Sequence, residues 1–379
     1  MNKKVIIGSI VVIFFTSLIF QLIFLGNTRL PALLWLSIMA LYFIGLNYFF
    51  LWFLVKRYFS ARHADNLLIN LSIFLTASIF LLVAAEFALR FVFRDITTTG
   101  DNASYFMKKW NKTVRYNTFG FREKDFDLAK PAVLYRIAVI GDSITYGQGV
   151  EEEDRFTNLM EKQLNNQDNS RTYEVSNFGR PGAETVDELG FLIDHVLSIN
   201  PDFVLLQWYV NDVVSPDVKR NAPRRLILIP QKLRLNSALF YLLHKQFSTL
   251  QSNLRGVTDY EEYMLPRFSD QNSTSSLQAK ETMKLFMQIC KKFHIPLGLV
   301  LFPDYYFNRE SKRDFLLERV VQLCEEEGIP CVDMRSTFAP YQGDLKLWAS
   351  RLDQHPSAFA NRLVADRIME AFGDTWLQK

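Results

Sequence analysis

Three long apolar runs, Val5 to Leu25, Leu30 to Val55 and Leu67 to Phe93, restrict what this chain can fold into. Each exceeds the roughly 18 to 20 residues that cross about 30 Å of hydrocarbon at a rise of about 1.5 Å per residue. The pattern predicts three transmembrane helices. The hydrophobic share of 49% over 379 residues is concentrated there, and the rest of the chain has ordinary soluble composition. A signal peptide is a poorer reading of the first run: Lys3 and Lys4 supply a basic start, but the apolar stretch is long and Gly26-Asn27-Thr28-Arg29 is a poor cleavage site.

Basic residues set the orientation. Lys3 and Lys4 precede the first run and Lys56, Arg57 and Arg62 lie between the second and third, whereas the loop between the first two holds only Arg29. The amino terminus is therefore expected in the cytoplasm and residues from about 95 onward outside it, in the periplasm if the cell has one. Glu86 and Arg90, one helical turn apart near the outer end of the third run, read as an interfacial pair in which Arg reaches for the headgroups. A net charge of +3 gives no argument for nucleic acid. Of Cys290, Cys324 and Cys331, the last two are the candidate pair in an oxidising compartment.

The expected organisation is a membrane anchor over 1–94, a polar extension over 95–134 and a domain over 135–379 interrupted at about 215–271. From Tyr135 short apolar runs alternate with longer amphipathic ones, as in a parallel sheet with crossover helices. The predicted strands are 136–140, 173–177, 203–208, 297–302 and 331–334, with helices over 157–164, 185–198, 277–293, 312–327 and 357–372. The interruption sets Lys219, Arg220, Arg224, Arg225, Lys232, Arg234, Lys245 and Arg255 among apolar residues, which suits a lid, a basic face for lipid headgroups or acidic glycan, or a plain solvated insertion.

Four loops carry chemistry. Gly141-Asp142-Ser143 follows the first strand, where open α/β sheets place their sites, although Gly-Asp-Ser also suits an ordinary turn. Gly182 lies after the second strand, where a glycine lets a backbone N–H approach a substrate. Tyr209-Val210-Asn211-Asp212 follows the third strand and offers an Asn side chain to an oxyanion. Asp353-Gln354-His355-Pro356 offers a base and its orienting carboxylate from one short loop before the last helix. Each has a plain structural use, as a turn, a helix start or a surface histidine. Among five histidines, only His355 has an Asp within two residues and a place at a helix start.

The order Gly-Asp-Ser, Gly, Asn-Asp, then Asp with His near the carboxyl terminus resembles the SGNH (GDSL-type) hydrolase superfamily over about residues 115–372. Asn117-Thr118-Phe119-Gly120-Phe121-Arg122 also resembles membrane-anchored bacterial members. The resemblance implies a flavodoxin-like three-layer α/β/α domain of about five parallel strands after the three membrane helices. It implies Ser143 as nucleophile, His355 as base, Asp353 as its orienting carboxylate, and an oxyanion hole of the Ser143 and Gly182 N–H groups with the Asn211 amide. Asp142, Tyr209 and Asp212 would border the site. Two departures stand out: Tyr209 replaces the Gly of Gly-x-Asn-Asp, and Leu352 occupies the position three before His355, so the carboxylate comes from Asp-x-His. An α/β-hydrolase elbow is set aside because Thr145 stands where its second Gly is needed.

The expected activity is an extracytoplasmic serine esterase without cofactor or metal, acting on an ester-bearing lipid or envelope glycan. The alternatives are an O-acyltransferase or deacetylase on such a glycan, or a catalytically idle binding module.

Overall fold

The computed structural model describes residues 61–167, 171–210, 212–213, 229–255, 265–303 and 313–377. In chain order its main elements are α1 (Ala61–Val92), α2 (Tyr105–Trp110), β1 (Leu134–Gly141), α3 (Ser143–Tyr146), α4 (Phe156–Asn165), β2 (Thr172–Gly179), α5 (Thr185–Phe191) and β3 (Phe203–Tyr209). There follow α6 (Gln231–Asn236), α7 (Ala238–Arg255), α8 (Thr274–Lys292), β4 (Leu297–Phe302), α9 (Asp314–Glu327), β5 (Cys331–Asp333), α10 (Arg335–Phe338), β6 (Trp348–Ser350), β7 (Asp353–Pro356) and α11 (Ala358–Leu377). Two compact units result: one holds residues up to Asp95 with Ala103–Lys108 and Leu226–Gln251, the other Ile96–Asn102, Lys109–Arg225 and Ser252–Lys379.

In the larger unit five strands form one parallel sheet in the order β2-β1-β3-β4-β5. The apolar strand runs follow from burial on both faces. Along β1, Ile137 and Val139 join the core under α4 and α11, while Ala138 and Ile140 join the core under α5, α8 and α9. The helices present matching stripes: Phe156, Met160 and Leu164 recur every fourth residue on α4 and are fully buried. The chain winds outward from β1 in both directions, so the carboxyl ends of β1 and β3 flank the topological switch point where such sheets form their crevice.

In the smaller unit, α1 contains a 20-residue stretch, Ile73–Val92, long and apolar enough to cross a membrane. It is one such helix among the described residues; the first two predicted spans lie outside them. Glu86 is buried on α1 and bonds both Arg90 and the start of α7, a fuller role than the interfacial pair expected from sequence.

Several local expectations need correction. Asp353 and His355 lie on a strand, β7, paired antiparallel with β6, because the chain doubles back at Arg351-Leu352. The helix expected over 185–198 widens into a π turn at Leu192–Val196 and ends in a 3-10 turn at Asn200, which takes a left-handed φ of 51°. His294, before β4, takes a left-handed φ of 55°. Cys324 and Cys331 are neighbours but free thiols.

Trp376 closes the core under α11: it is fully buried, stacks on Phe372 and meets Phe203 edge-on. Trp376→Ala is expected to cost about 3 to 5 kcal/mol, read as a lower denaturation midpoint of the full-length protein at unchanged slope.

Candidate active site

The chain reverses sharply at the end of β1. Asp142 caps α3 by accepting from the Ile144 N–H at 2.8 Å, and Gly147 ends the helix in a left-handed conformation with φ of 72°. Ser143 therefore sits at the first position of a four-residue helix, partly exposed above the sheet. Gln207, a polar residue inside apolar β3, holds the turn from below. Its Oε1 accepts from the N–H groups of Asp142 and Thr145, each at 3.2 Å, and from the Thr145 hydroxyl at 2.9 Å. Asn177 on β2 donates to the Thr145 carbonyl at 2.6 Å and accepts from the Gly179 N–H at 2.9 Å.

Only glycine fits where these strands end. A Cβ on Gly179 would stand 2.1 Å from the Tyr146 nitrogen, and one on Gly141 would stand 2.3 Å from the Thr145 hydroxyl. Arg122 finishes α3 from the far side. It is buried, and donates to the carbonyls of Gly147 at 2.7 Å and Val150 at 2.9 Å, placing a cation where the helix leaves its acceptors open.

The second half of the site comes from β7. Residues two apart on a strand share a face, so Asp353 and His355 point the same way. His355 Nδ1 lies 2.5 Å from Asp353 Oδ1, and the His355 N–H donates to the same oxygen at 3.1 Å. The other oxygen of Asp353 accepts from the Thr98 hydroxyl. His355 Nε2 lies 2.7 Å from Ser143 Oγ.

The electrostatics fix the tautomer. Burial pushes the Asp353 carboxyl up, but the charge and hydrogen bonds of His355 and the Thr98 hydroxyl bring it down to about 2. As a carboxylate it can only accept, so Nδ1 carries the hydrogen and Nε2 turns its lone pair to the Ser143 hydroxyl. Burial depresses the His355 pKa, yet the Asp353 charge and bond, with the Asp142 charge beyond, leave it above the ordinary histidine value.

Of the other predicted residues, Gly182 follows β2, Tyr209 ends β3 and Asp212 follows it. Gly182 is exposed with φ of 74°, in the loop that Arg180 ties to the Gly141 carbonyl at 3.1 Å. Tyr209 ends β3 and donates its N–H to Asp212 Oδ2 at 2.6 Å. Asn211 lies outside the described residues. Thr98 and Gln207 are the residues that sequence reasoning missed. A lone amide inside the apolar run Phe203-Val204-Leu205-Leu206-Gln207-Trp208-Tyr209 was a visible signal for one; an irregular polar stretch offered none for the other.

The model of the GDSL-like lipase/acylhydrolase family matches residues 139–363, more than half of the chain. The chain belongs to this family. It is an ester-hydrolysing enzyme. Solved structures of similar fold include the acetyl xylan esterase AlAXEase, 20% identical, with 62% of this chain and 98% of that chain covered and a TM-score of 0.39. They also include a lipase/acylhydrolase from Enterococcus faecalis at 16% identity, covering 64% of this chain and 96% of that one with a TM-score of 0.41. A variant of the acetylxylan esterase Axe2 from Geobacillus stearothermophilus is 17% identical, covers 65% and 97%, and has a TM-score of 0.42. No curated protein sequence matches the chain.

Near the Gly141-Asp142-Ser143 turn the hydrolase buries a group of acids. Glu188 on α5 is fully buried, and among the described residues neither of its carboxyl oxygens nor Asp212 Oδ1 has a donor. Burial first, and then the neighbouring Asp142 charge, raises Glu188 well above the carboxylate range; burial and Glu188 do the same to Asp212. Bare like charges this deep are costly, which is the cause of both upward shifts. The Thr185 N–H donates to the Asp212 carbonyl at 3.2 Å, so the loop after β3 is tied to the start of α5.

Gln207→Leu keeps the volume but removes the acceptor from two buried N–H groups. Each orphaned donor is expected to cost about 1 to 3 kcal/mol, seen as a lower unfolding midpoint together with slower ester hydrolysis.

Proposed function

We propose that the protein is a membrane-anchored, extracytoplasmic serine esterase that removes an acyl or acetyl group from a lipid or glycan of the cell envelope. The observation that carries the mechanism is the continuous line of hydrogen bonds from Thr98 through Asp353 and His355 to Ser143. Ser143 Oγ attacks the ester carbonyl as its proton passes to His355 Nε2. The imidazolium, stabilised by Asp353, returns that proton to the leaving alkoxide. Water then enters by the same base and releases the acid and the free serine.

The oxyanion formed in each half-reaction would be held by the N–H groups of Ser143 and Gly182 and the side-chain amide of Asn211. The first is supported by its place at the start of α3, where helix N–H groups are open. The last is taken from its motif alone. Losing one such donor typically costs on the order of 10² to 10³ in turnover.

Placement outside the membrane rests on the distribution of basic residues around the apolar runs, and anchoring on the apolar length of Ile73–Val92. An envelope substrate follows from that address. The organisation supporting this reading is an anchor over 1–94, an extension over 95–134 and the hydrolase domain thereafter.

The nucleophile is tested with p-nitrophenyl acetate and a fluorophosphonate probe. Ser143→Ala is expected to abolish both turnover and labelling; a variant that turns over substrate like the wild type would sink the assignment. The pH dependence tests the base. Only neutral His355 accepts a proton, so turnover falls as pH drops through its pKa, and the raised value puts that midpoint above about 6.5, the ordinary histidine value. Asp353→Asn removes the charge that raises it and leaves burial, which lowers it. The midpoint should therefore move to lower pH while kcat falls by about 10³ to 10⁴.

A further inference from the structure

The smaller unit contains a helix whose amino end is bonded into the span. Glu86 is 2% exposed, and its carboxylate accepts from the Ser237 hydroxyl at 2.7 Å and from the N–H groups of Ala238 at 3.0 Å and Leu239 at 2.8 Å. The carboxylate thus caps α7 from another helix, satisfying open donors at its positive end. Arg90 completes the joint: its Nε lies 2.7 Å from Glu86, and Nη2 donates to the Asn236 carbonyl at 3.1 Å. Glu86 is six residues before the end of the apolar stretch, about 9 Å along the helix axis.

From that joint α7 runs with two apolar faces. Ala238 and Tyr241 are buried, Tyr241 lying edge-on to Phe106 at 6.0 Å. Leu243, Phe247 and Leu250 are 48%, 41% and 54% exposed, and Leu254 continues their spacing at 80%. At about 100° per residue these four fall within an arc of roughly 60°, on the side opposite Ala238. Four large apolar side chains on one outward stripe are not the residue or two a soluble surface normally carries.

The charge of the sequence that contains α7 selects what covers the stripe. Between Val218 and Thr258 the chain has eight Lys and Arg residues and no Asp or Glu. The span to which α7 is bonded also carries exposed apolar side chains, among them Phe87 and Phe91 on the turns beside Glu86. A helix bonded to this span, apolar outward and drawn from a stretch of sequence with basic but no acidic residues, has the composition of one that lies in a membrane interface.

We infer that α7 lies on the bilayer, with Leu243, Phe247 and Leu250 inserted among the acyl chains of an anionic lipid surface, and that the Glu86–Arg90 joint fixes it there. The inference rests on the membrane-anchor reading. It makes the interruption in the hydrolase sequence a lipid-contacting element with Ile73–Val92 as its support.

The full-length protein in nanodiscs of phosphatidylcholine and phosphatidylglycerol provides the test. Leu243→Cys, Phe247→Cys and Leu250→Cys are each labelled with a nitroxide in a background of Cys290→Ala, Cys324→Ala and Cys331→Ala, beside Gln246→Cys and Thr249→Cys. The three stripe positions are expected to favour collision with oxygen over a water-soluble nickel chelate severalfold relative to Gln246 and Thr249. A stripe as open to nickel as Gln246, in protein that stays in the disc, overturns the inference and leaves the anchor standing. A stripe shielded from both reagents assigns it to a protein partner and also overturns it. Protein that leaves the disc removes the anchor reading and this one together. A second measurement uses the unmodified chain and a diazirine-bearing phospholipid: crosslinks are expected in peptides covering both 73–92 and 238–255, and crosslinks in the first alone overturn the inference.

Discussion

The candidate site depends on the reversal of the chain at Gly141-Asp142-Ser143. A strand buried on both faces has to stop and give way to a helix within one residue, leaving backbone donors pointing into the protein. Gln207 answers this with one oxygen that serves two N–H groups and a hydroxyl. Gly179 lets the next strand come close enough for Asn177 to hold the helix from the other side. Without these contacts Ser143 would have no fixed direction, and the bond to His355 would have no fixed partner.

His355 arrives by a different geometry. A carboxylate three residues ahead of its histidine needs a turn to bring the two together. Here the separation is two, and an extended strand already puts both side chains on one face. The β6–β7 hairpin explains why Asp-x-His suffices. It also makes the pair sensitive to register: slipping β7 by one residue would turn both groups away together.

Much of this was legible in advance. The five strands announced themselves because a parallel sheet between helix layers turns its strands into continuous apolar runs. The four motif loops were visible as polar punctuation at strand ends. What was not legible arose from partners distant in sequence. Nothing in Asp353-Gln354-His355-Pro356 distinguishes a four-residue hairpin strand from a loop until Trp348–Ser350 pairs with it. Nothing local marks Glu86 as the cap of a helix about 150 residues away. Thr98 sits in a stretch without periodicity and acquires meaning only through Asp353.

That last contact redraws where the hydrolase fold begins. The family match opens at residue 139, on β1, yet the hydroxyl that holds the inner oxygen of Asp353 belongs to a segment more than 40 residues upstream. The same segment is fastened twice more, by Thr97 to the Gly149 carbonyl at 2.9 Å and by Ser350 to the Thr98 carbonyl at 3.1 Å. Residues 97 and 98, ahead of the stretch that the family model covers, are thus part of what holds Asp353. A substitution at Thr98 would be felt at that carboxylate, so the reach of the fold extends upstream of the family match.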